Sequence, residues 1–408
     1  YEAADSSRFA GGSGTEADPY RIANEAQLRY LSYSLNADVD WSGVYFRQTA
    51  DITLTDEWLP IGWALNGEVN GKKTAIAAYP FRGNYDGGNC TISGLTIGSK
   101  DAPADQMASG LFGLTSGSYS SNAQPDGTEQ VVRLANIRLR DIAIYVSTRY
   151  ETFTGGLVGS GQNGIYIDNC SVTGSTISAA SGTFAYAGGL AGRLDRENVV
   201  TNCWTDIAVT AVSANSPACA GGLVATIGGS SMIANAAALG DVSVTGVSAE
   251  YNWCRAGGLL GSSAYLTHNC YASGNVSLQD SAESVKNVYL GCLIGEQSGG
   301  VVVSGHYFNG AVLRCNGETQ TVKATGSIPA SWYFDYNKIT AHDSVTDAAF
   351  AAALNDGISE SGLAETDAYL TSSGTFTSYT AEGLAAMRPA AWQSWPRGRK
   401  GRPRRFAG

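Results

Sequence analysis

The sequence predicts an all-β protein, a parallel β-helix of about 33 residues per coil closed at its ends by short α-helical caps. Three observations carry that expectation. The hexapeptide "AGGLAG" (187–192) returns as "TGGLVG", "AGGLVA", "AGGLLG" and "LGCLIG", and its leucines, with Leu111 of "SGLFG", are Leu111, Leu157, Leu190, Leu223, Leu259 and Leu293, at intervals of 46, 33, 33, 36 and 34 residues. An asparagine keeps the same beat at Asn89, Asn136, Asn169, Asn202, Asn235 and Asn269, and a further copy, "GHYFNG", puts Gly305 in that place. Between these marks the apolar residues alternate with period 2 and never hold a 3.6 period, which excludes helical repeats.

The chain begins with a capping element. "NEAQLRYLSYSLN" (24–36) sets Leu28, Leu31 and Leu35 on one helical face behind an Asn24 cap. Such a helix can cover the open first coil, whose core and unpaired strand edge would otherwise meet water. Each repeat then reads as three short strands, in one unit "GGLAG", "VVTNCWT" and "IAVTAVS". A propeller blade needs about 40 or more residues and four strands. The paired glycines are expected at corners of positive φ, with the adjacent leucine pointing inward. The asparagine is expected at a corner too, its amide bonded to the copies above and below as a ladder.

The residues after it are Cys90, Ile137, Cys170, Cys203, Ala236, Cys270 and His306. Mostly apolar or small, they face the core, so the cysteines read as packed thiols. Stacked neighbours such as Cys170 and Cys203 would still lie close enough to bridge. The motif glycines are no phosphate cradle, because no Lys-Ser/Thr follows and no helix starts there. After the repeats, "TDAAFAAALN" (346–355), with Phe350 and Leu354 at i, i+4, reads as a second cap. The expected organisation is a β-helix over 1–312, a C-terminal cap or extension over 313–395, and a basic, disordered tail over 396–408.

Composition bounds the function. Of 408 residues 43% are apolar and 15% charged, with 51 glycines and 10 prolines, a folded chain of many tight turns. The net charge is −10, and six of the 26 basic residues fall in the last dozen positions, leaving −16 on the rest. That balance argues against a nucleic-acid partner. No run of about 18 apolar residues could span a bilayer, so no membrane insertion is expected. The chain opens at Tyr1 without a signal peptide, as a processed or excised piece would.

"GGLVG" followed by "NCSVTG" or "NCYASGNV" resembles the GLUG repeat of bacterial surface proteins, and "GGSGTEADPYRIANEAQLRYLS", "GVYFRQTADITL", "WLPIG" and "YPFRGNYDGGNCTISGLTIG" match the segment that precedes such repeats. The resemblance covers roughly residues 9–312. It implies a right-handed β-helix on the bacterial cell exterior or secreted, as in adhesin-like proteins and the N-terminal regions of immunoglobulin A peptidases. Those peptidases carry an HExxH zinc motif. Here the histidines are His268, His306 and His342, none followed by Glu, so peptidase activity is not carried over and neither metal nor cofactor is expected.

Candidate sites follow from alternation. If Cys203 points inward, Trp204 and Asp206 point outward, and the same phase exposes Thr91, Arg138, Ser171, Ala237, Tyr271 and Tyr307, with Asn309 close by. Trp204 and Tyr271 would lie two coils, ~9.6 Å, apart. Such a stripe could stack sugar rings, although strands favour aromatics anyway and a covering loop would make the same residues packing groups. The clusters "YNWCRA" (251–256) and "SWYFDYN" (331–337) read as loop anchors or cap core. Glycoside hydrolysis needs two carboxylates about 5–9.5 Å apart. Asp168, Asp195, Glu197, Asp206 and Asp241 are the candidates, and no two share a phase in adjacent coils. The expected function is a non-catalytic adhesion or glycan-binding module, a monomer or part of a larger chain, whose partner is a host or environmental glycan or surface protein. A carbohydrate-active enzyme and a passive stalk are the alternatives.

Overall fold

At one corner of six successive coils the backbone enters the left-handed region at asparagine, with φ of 60°, 56°, 51°, 54°, 51° and 48° at Asn89, Asn136, Asn169, Asn202, Asn235 and Asn269. That conformation costs most L-residues about 1–2 kcal/mol and asparagine less, because its short amide can bond locally. Here the amide bonds to neighbouring coils. Asn169 Nδ2 donates to Asn136 Oδ1 at 2.7 Å, Asn235 Nδ2 to Asn202 Oδ1 at 3.3 Å, and Asn269 Nδ2 to Asn235 Oδ1 at 2.9 Å. Two rungs donate to a carboxylate instead, Asn202 Nδ2 to Asp168 Oδ1 at 2.8 Å and Asn136 Nδ2 to Asp86 Oδ1 at 2.9 Å, while the Asn169 and Asn89 oxygens accept from Arg138.

The computed structural model describes residues 6–343, apart from 70–71, 119–129, 230, 249–252, 264–265, 283–287, 299–300, 303 and 328–338, and beyond them residues 350, 353, 354 and 356. From its asparagine a coil runs outward as a long strand, for example Trp204–Ser213, and turns into a short one, Ala218–Gly221. It bends at the glycine–leucine motif into Val224–Gly228 and continues as Met232–Ala238, which carries the next asparagine. Neighbouring coils pair in parallel, giving sheets of 21, seven and six strands.

The coil therefore has four strand segments where three were expected. "GGLAG" is not one strand: Ala185–Gly188 ends before Leu190, and Ala191–Asp195 begins after it. "VVTNCWT" is broken at Asn202 by its left-handed corner. About six turns are formed, marked by the seven strands of one sheet, against the seven or eight that the repeat count suggests. The difference lies at the N-terminus, where Tyr20–Ile22, Tyr45–Gln48 and Asn84–Asp86 stack only in the long sheet.

The motif glycines also differ from expectation. None of them has positive φ. Their constraint is proximity: a Cβ on Gly222 would sit 2.1 Å from the Gly258 carbonyl oxygen of the next coil, and one on Gly188 would sit 1.9 Å from the Ala191 carbonyl oxygen across the bend. Two backbones pass where only hydrogen fits.

The core is a stack of aliphatic columns. Leu111, Leu157, Leu190, Leu223, Leu259 and Leu293 are fully buried. All eight cysteines are free thiols, so the bridging alternative for Cys170 and Cys203 is not realised; instead the Cys170 amide donates to Cys203 Sγ at 3.4 Å. Burial raises the Cys219 and Cys270 thiols to about 12, so at neutral pH they pack and do not react.

The helix Glu25–Asn36 closes the first coil. Asn24 Oδ1 accepts from Gln27 N at 3.0 Å, and Gln27 Oε1 accepts from Ala23 N at 2.7 Å. Leu28, Leu31 and Leu35 are buried on its inner face. A run of rings joins cap to coils: Phe9 on Phe46 (5.5 Å), Phe46 on Phe81 (6.2 Å), Phe81 on Phe112 (5.1 Å). Strands keep stacking beyond residue 312, with Leu313–Cys315, Thr325–Ser327 and Ile339–His342 laid on the preceding coils. Contacts divide the chain after Ser344. In the second unit the four described residues are helical, and Phe350 and Leu354 are buried. The cluster at 331–337, the segment 357–395 and the basic tail lie outside the described residues.

Near the end of the first unit His306 Nδ1 lies 3.0 Å from His342 Nε2. Burial, with His342 and His268 nearby, lowers the His306 imidazole to about 4. An unfolded histidine titrates near 6.5, so between pH 6.5 and 4 the unfolded chain holds a proton that the folded chain does not. Stability is complete above pH 6.5 and declines as pH falls toward 4. We expect the thermal midpoint to drop across that window and His306→Gln to flatten the drop, as scanning calorimetry at stepped pH would show. For the ladder, Asn235→Ala is expected to cost about 3 kcal/mol, from an orphaned amide partner and left-handed strain, and Asn235→Gly about 1 kcal/mol less, because glycine bears the corner without strain. Equal urea midpoints for the two variants would refute the strain component.

Candidate functional site

The expected aromatic stripe does not form. Trp204 is 7% and Tyr271 2% exposed. On both flanks of the asparagine corner the outward positions are covered: Thr201, Ala234 and His268 before it, Trp204, Ala237, Tyr271 and His306 after it, are all buried. Strict alternation assumes a straight strand. The left-handed residue bends the chain, and side chains nominally outward on its two arms fold toward each other. Arg138, another member of the phase, is buried as well and donates to Asn169 O at 2.6 Å and Asn89 Oδ1 at 3.0 Å.

Register corrects Tyr307 too. Gly305 stacks on Cys270, and Ser304 takes the ladder level, its hydroxyl accepting from Asn269 N at 2.9 Å. His306 thus lies over Tyr271, and Tyr307 over Ala272, half-buried against the core. Of the five candidate ligand residues Asp206 and Asn309 are exposed, and Asn309 Nδ2 is bonded to Asp343 Oδ1 at 3.0 Å.

Three of the five candidate acids are engaged by neighbouring groups. Asp168 is half-buried in the ladder, where it accepts from Thr201 Oγ1 at 2.6 Å and Asn202 Nδ2 at 2.8 Å; desolvation nevertheless raises its carboxyl. Asp241 receives Asn275 N and Nδ2 at 2.8 and 3.0 Å. Asp195 pairs with Arg193 at 3.1 Å and stacks between Gln162 and Gly228. Asp206 stacks beside Thr173, and Glu197 sits at a φ of 59° in the turn after Asp195. Among the described residues no group of three His, Cys, Asp or Glu side chains is placed to hold a metal ion.

Aromatic and charged residues converge elsewhere, along the bend that the motif glycines permit. There the six- and seven-stranded sheets meet, and each coil presents one side chain from either arm. Phe153, Tyr186, Cys219, Arg255 and Tyr289 stack in register on the first. Ser160, Arg193, Thr226, Ser262 and Glu296 stack on the second. The columns interact across the bend. The Arg193 guanidinium lies 5.3 Å from the Phe153 ring, and Arg255 Nε is hydrogen-bonded to Glu296 Oε2, which also accepts from Ser262 Oγ at 3.4 Å.

A hollow of about 200 Å³ opens in this face, lined by Phe184, Tyr186, Pro217, Ala218, Cys219, Trp253 and Arg255. Its origin is legible in the register. Phe184 and Tyr186 belong to one coil, Pro217 and Cys219 to the next, Trp253 and Arg255 to the one after. Two small residues thus lie between two large pairs, whose strands are two spacings, ~9.6 Å, apart. Trp253 is held from behind by Tyr289, with ring centroids 6.4 Å apart, and by the Arg255 guanidinium at 5.2 Å. Tyr186 stacks on Phe153 at 5.1 Å. Burial, with Cys219 and Glu151 nearby, raises its phenol to about 12, so it stays a neutral hydroxyl at physiological pH.

This coil geometry has a solved counterpart. The chain is similar to the crystal structure of a "putative immunoglobulin A1 protease" from Bacteroides ovatus, with a TM-score of 0.52 and 21% identity over 87% of this chain and 91% of that one. At that identity the likeness is one of fold. No protein-family model matches the sequence, and no curated protein does, so the resemblance to GLUG repeats rests on the quoted motifs. No helix of the described residues is long and apolar enough to cross a membrane.

Of the two tryptophans in the repeats, Trp204 is buried at the asparagine corner and Trp253 lines the hollow. The signal that could have found it is the pairing of "TFAYAG" with "NWCRAG" two coils on, with the small "SPACAG" between them. Because Cys219 lines the hollow between Tyr186 and Arg255 in register, Cys219→Phe is expected to fill it while leaving the coil register intact. A crystal structure of that variant checks it: retained parallel pairing with the new ring between Tyr186 and Trp253 is the expected result.

Proposed function

We propose that the protein is a non-catalytic extracellular adhesion module of a bacterial surface protein, and that it binds glycan in the hollow between Tyr186 and Trp253. The observation that carries the reading is the hollow itself, a one-coil gap walled by aromatic rings and bordered by a guanidinium. Sugars present apolar C–H faces ringed by hydroxyls, and an aromatic wall with a few convergent polar groups suits them. Pre-formed walls add affinity because little ordering is required on binding. The similarity in fold to the Bacteroides ovatus protein supports a surface or secreted setting. An elongated stack suits that setting, since it presents a long repetitive face to extended partners.

Chemistry on the sugar is disfavoured by the placement of the acids. Asp168 and Asp241 are occupied in holding corners, and Asp195 is paired with Arg193. The exposed acid Asp206 has Thr173 as its strand neighbour.

A glycan array run on the wild type beside Trp253→Ala, Tyr186→Ala and Cys219→Phe tests the proposal. Binding by the wild type, with a tenfold or greater loss in each variant at an unchanged thermal midpoint, is expected. Wild-type binding that survives all three substitutions would place the glycan elsewhere, and a wild type that binds nothing would leave a passive stalk.

A further inference from the structure

We infer that the sugar taken by this hollow carries a carboxylate, and that Arg255 is the residue that reads it. The inference rests on the glycan reading above and specifies its ligand class. Arg255 is 19% exposed at its side chain, and only one of its three guanidinium nitrogens is engaged. Nε is bonded to Glu296 Oε2, while Nη1 and Nη2 have no hydrogen-bond partner among the described residues. Glu296 is itself steadied by Ser262, and the guanidinium lies 5.2 Å from the Trp253 ring. The fork is therefore oriented by one edge and one face, and Arg255 is among the residues that line the hollow.

A planar guanidinium presenting two parallel N–H donors matches the two oxygens of a carboxylate, and its fixed geometry loses little entropy on pairing. A neutral hydroxyl would use at most one of those donors. Tyr186, which lines the hollow one coil beyond Cys219 from Arg255, keeps its phenol protonated at neutral pH. Between them the aromatic walls accept the ring that bears the acid.

Charge argues for a single acidic sugar over a polyanion. The chain outside its basic last dozen residues carries a net −16, which disfavours approach of a long anionic polymer. One carboxylate at Arg255 is governed by its immediate neighbours, because at physiological salt charges beyond about 8 Å are largely screened. Glu296 offsets part of the attraction. The discrimination then comes from paired hydrogen bonds to a charged acceptor, which are worth about tenfold to a hundredfold in affinity.

The test is calorimetric titration of the full chain with the methyl glycosides of glucuronic acid, galacturonic acid and N-acetylneuraminic acid, each beside its carboxyl methyl ester. Wild type, Arg255→Lys and Trp253→Ala are compared, with circular dichroism confirming the fold of each. We expect at least one acid to bind, its ester to bind tenfold or more weakly, and Arg255→Lys to weaken the acid tenfold while leaving the ester unchanged. If acid and ester bind wild type alike and Trp253→Ala still abolishes both, the carboxylate inference fails and the glycan reading stands. If Trp253→Ala leaves acid binding untouched, or no acid or ester binds, both fail. The ester comparison needs no variant, so a poorly folded Arg255→Lys would not shelter the inference.

Discussion

Everything in this molecule depends on each coil repeating the backbone of the coil beneath it closely enough for parallel strands to pair. The asparagine corner enforces that repetition. A residue with positive φ turns the chain through one defined angle, and an amide that must bond to the rung above and below admits little drift in register. Once the corners are aligned, the aliphatic columns follow, since leucines at one phase fall directly over one another. Asp86 and Asp168 accept from the rungs at Asn136 and Asn202, so these two acids are consumed as structural acceptors.

The second constraint is steric. At the glycine–leucine motif two arms of the coil pass so closely that a single methyl group would collide with backbone oxygen. The sharp bend this allows brings outward side chains of two sheets toward each other, and the arginines, aromatics and Glu296 meet there. The repeated glycines thus have no chemistry of their own. They set the angle between two surfaces that do.

Much of this was legible from the sequence. Period, phase, cap and core columns all followed from recurrence and alternation, because stacked coils force the same residue type into the same place; Leu28, Leu31 and Leu35 behave as the helical period requires. The candidate site was not legible in the same way. Alternation holds only along a straight strand, and the left-handed asparagine sits between Thr201 and Trp204, so the outward phase beyond it is covered. At Tyr307 the failure was one of register: a single-residue shift, with Ser304 taking the ladder level, moved the ring from solvent toward the core. The hollow depends on residues three coils long in sequence, small between two large, which no local pattern reports.

The stacking also fixes how such a surface can change. Each position along the bend belongs to a column with one member per coil, and the side chains of Phe153, Tyr186, Cys219, Arg255 and Tyr289 stand outside the aliphatic core. Exchanging the contents of Pro217 and Cys219 with those of a neighbouring coil would shift the gap along the axis by one strand spacing, ~4.8 Å, with the scaffold untouched. The protein is in that sense a ruler with movable marks. Its coils supply the graduations, and a lineage can relocate or duplicate a hollow by substitution in two columns without having to rebuild a fold.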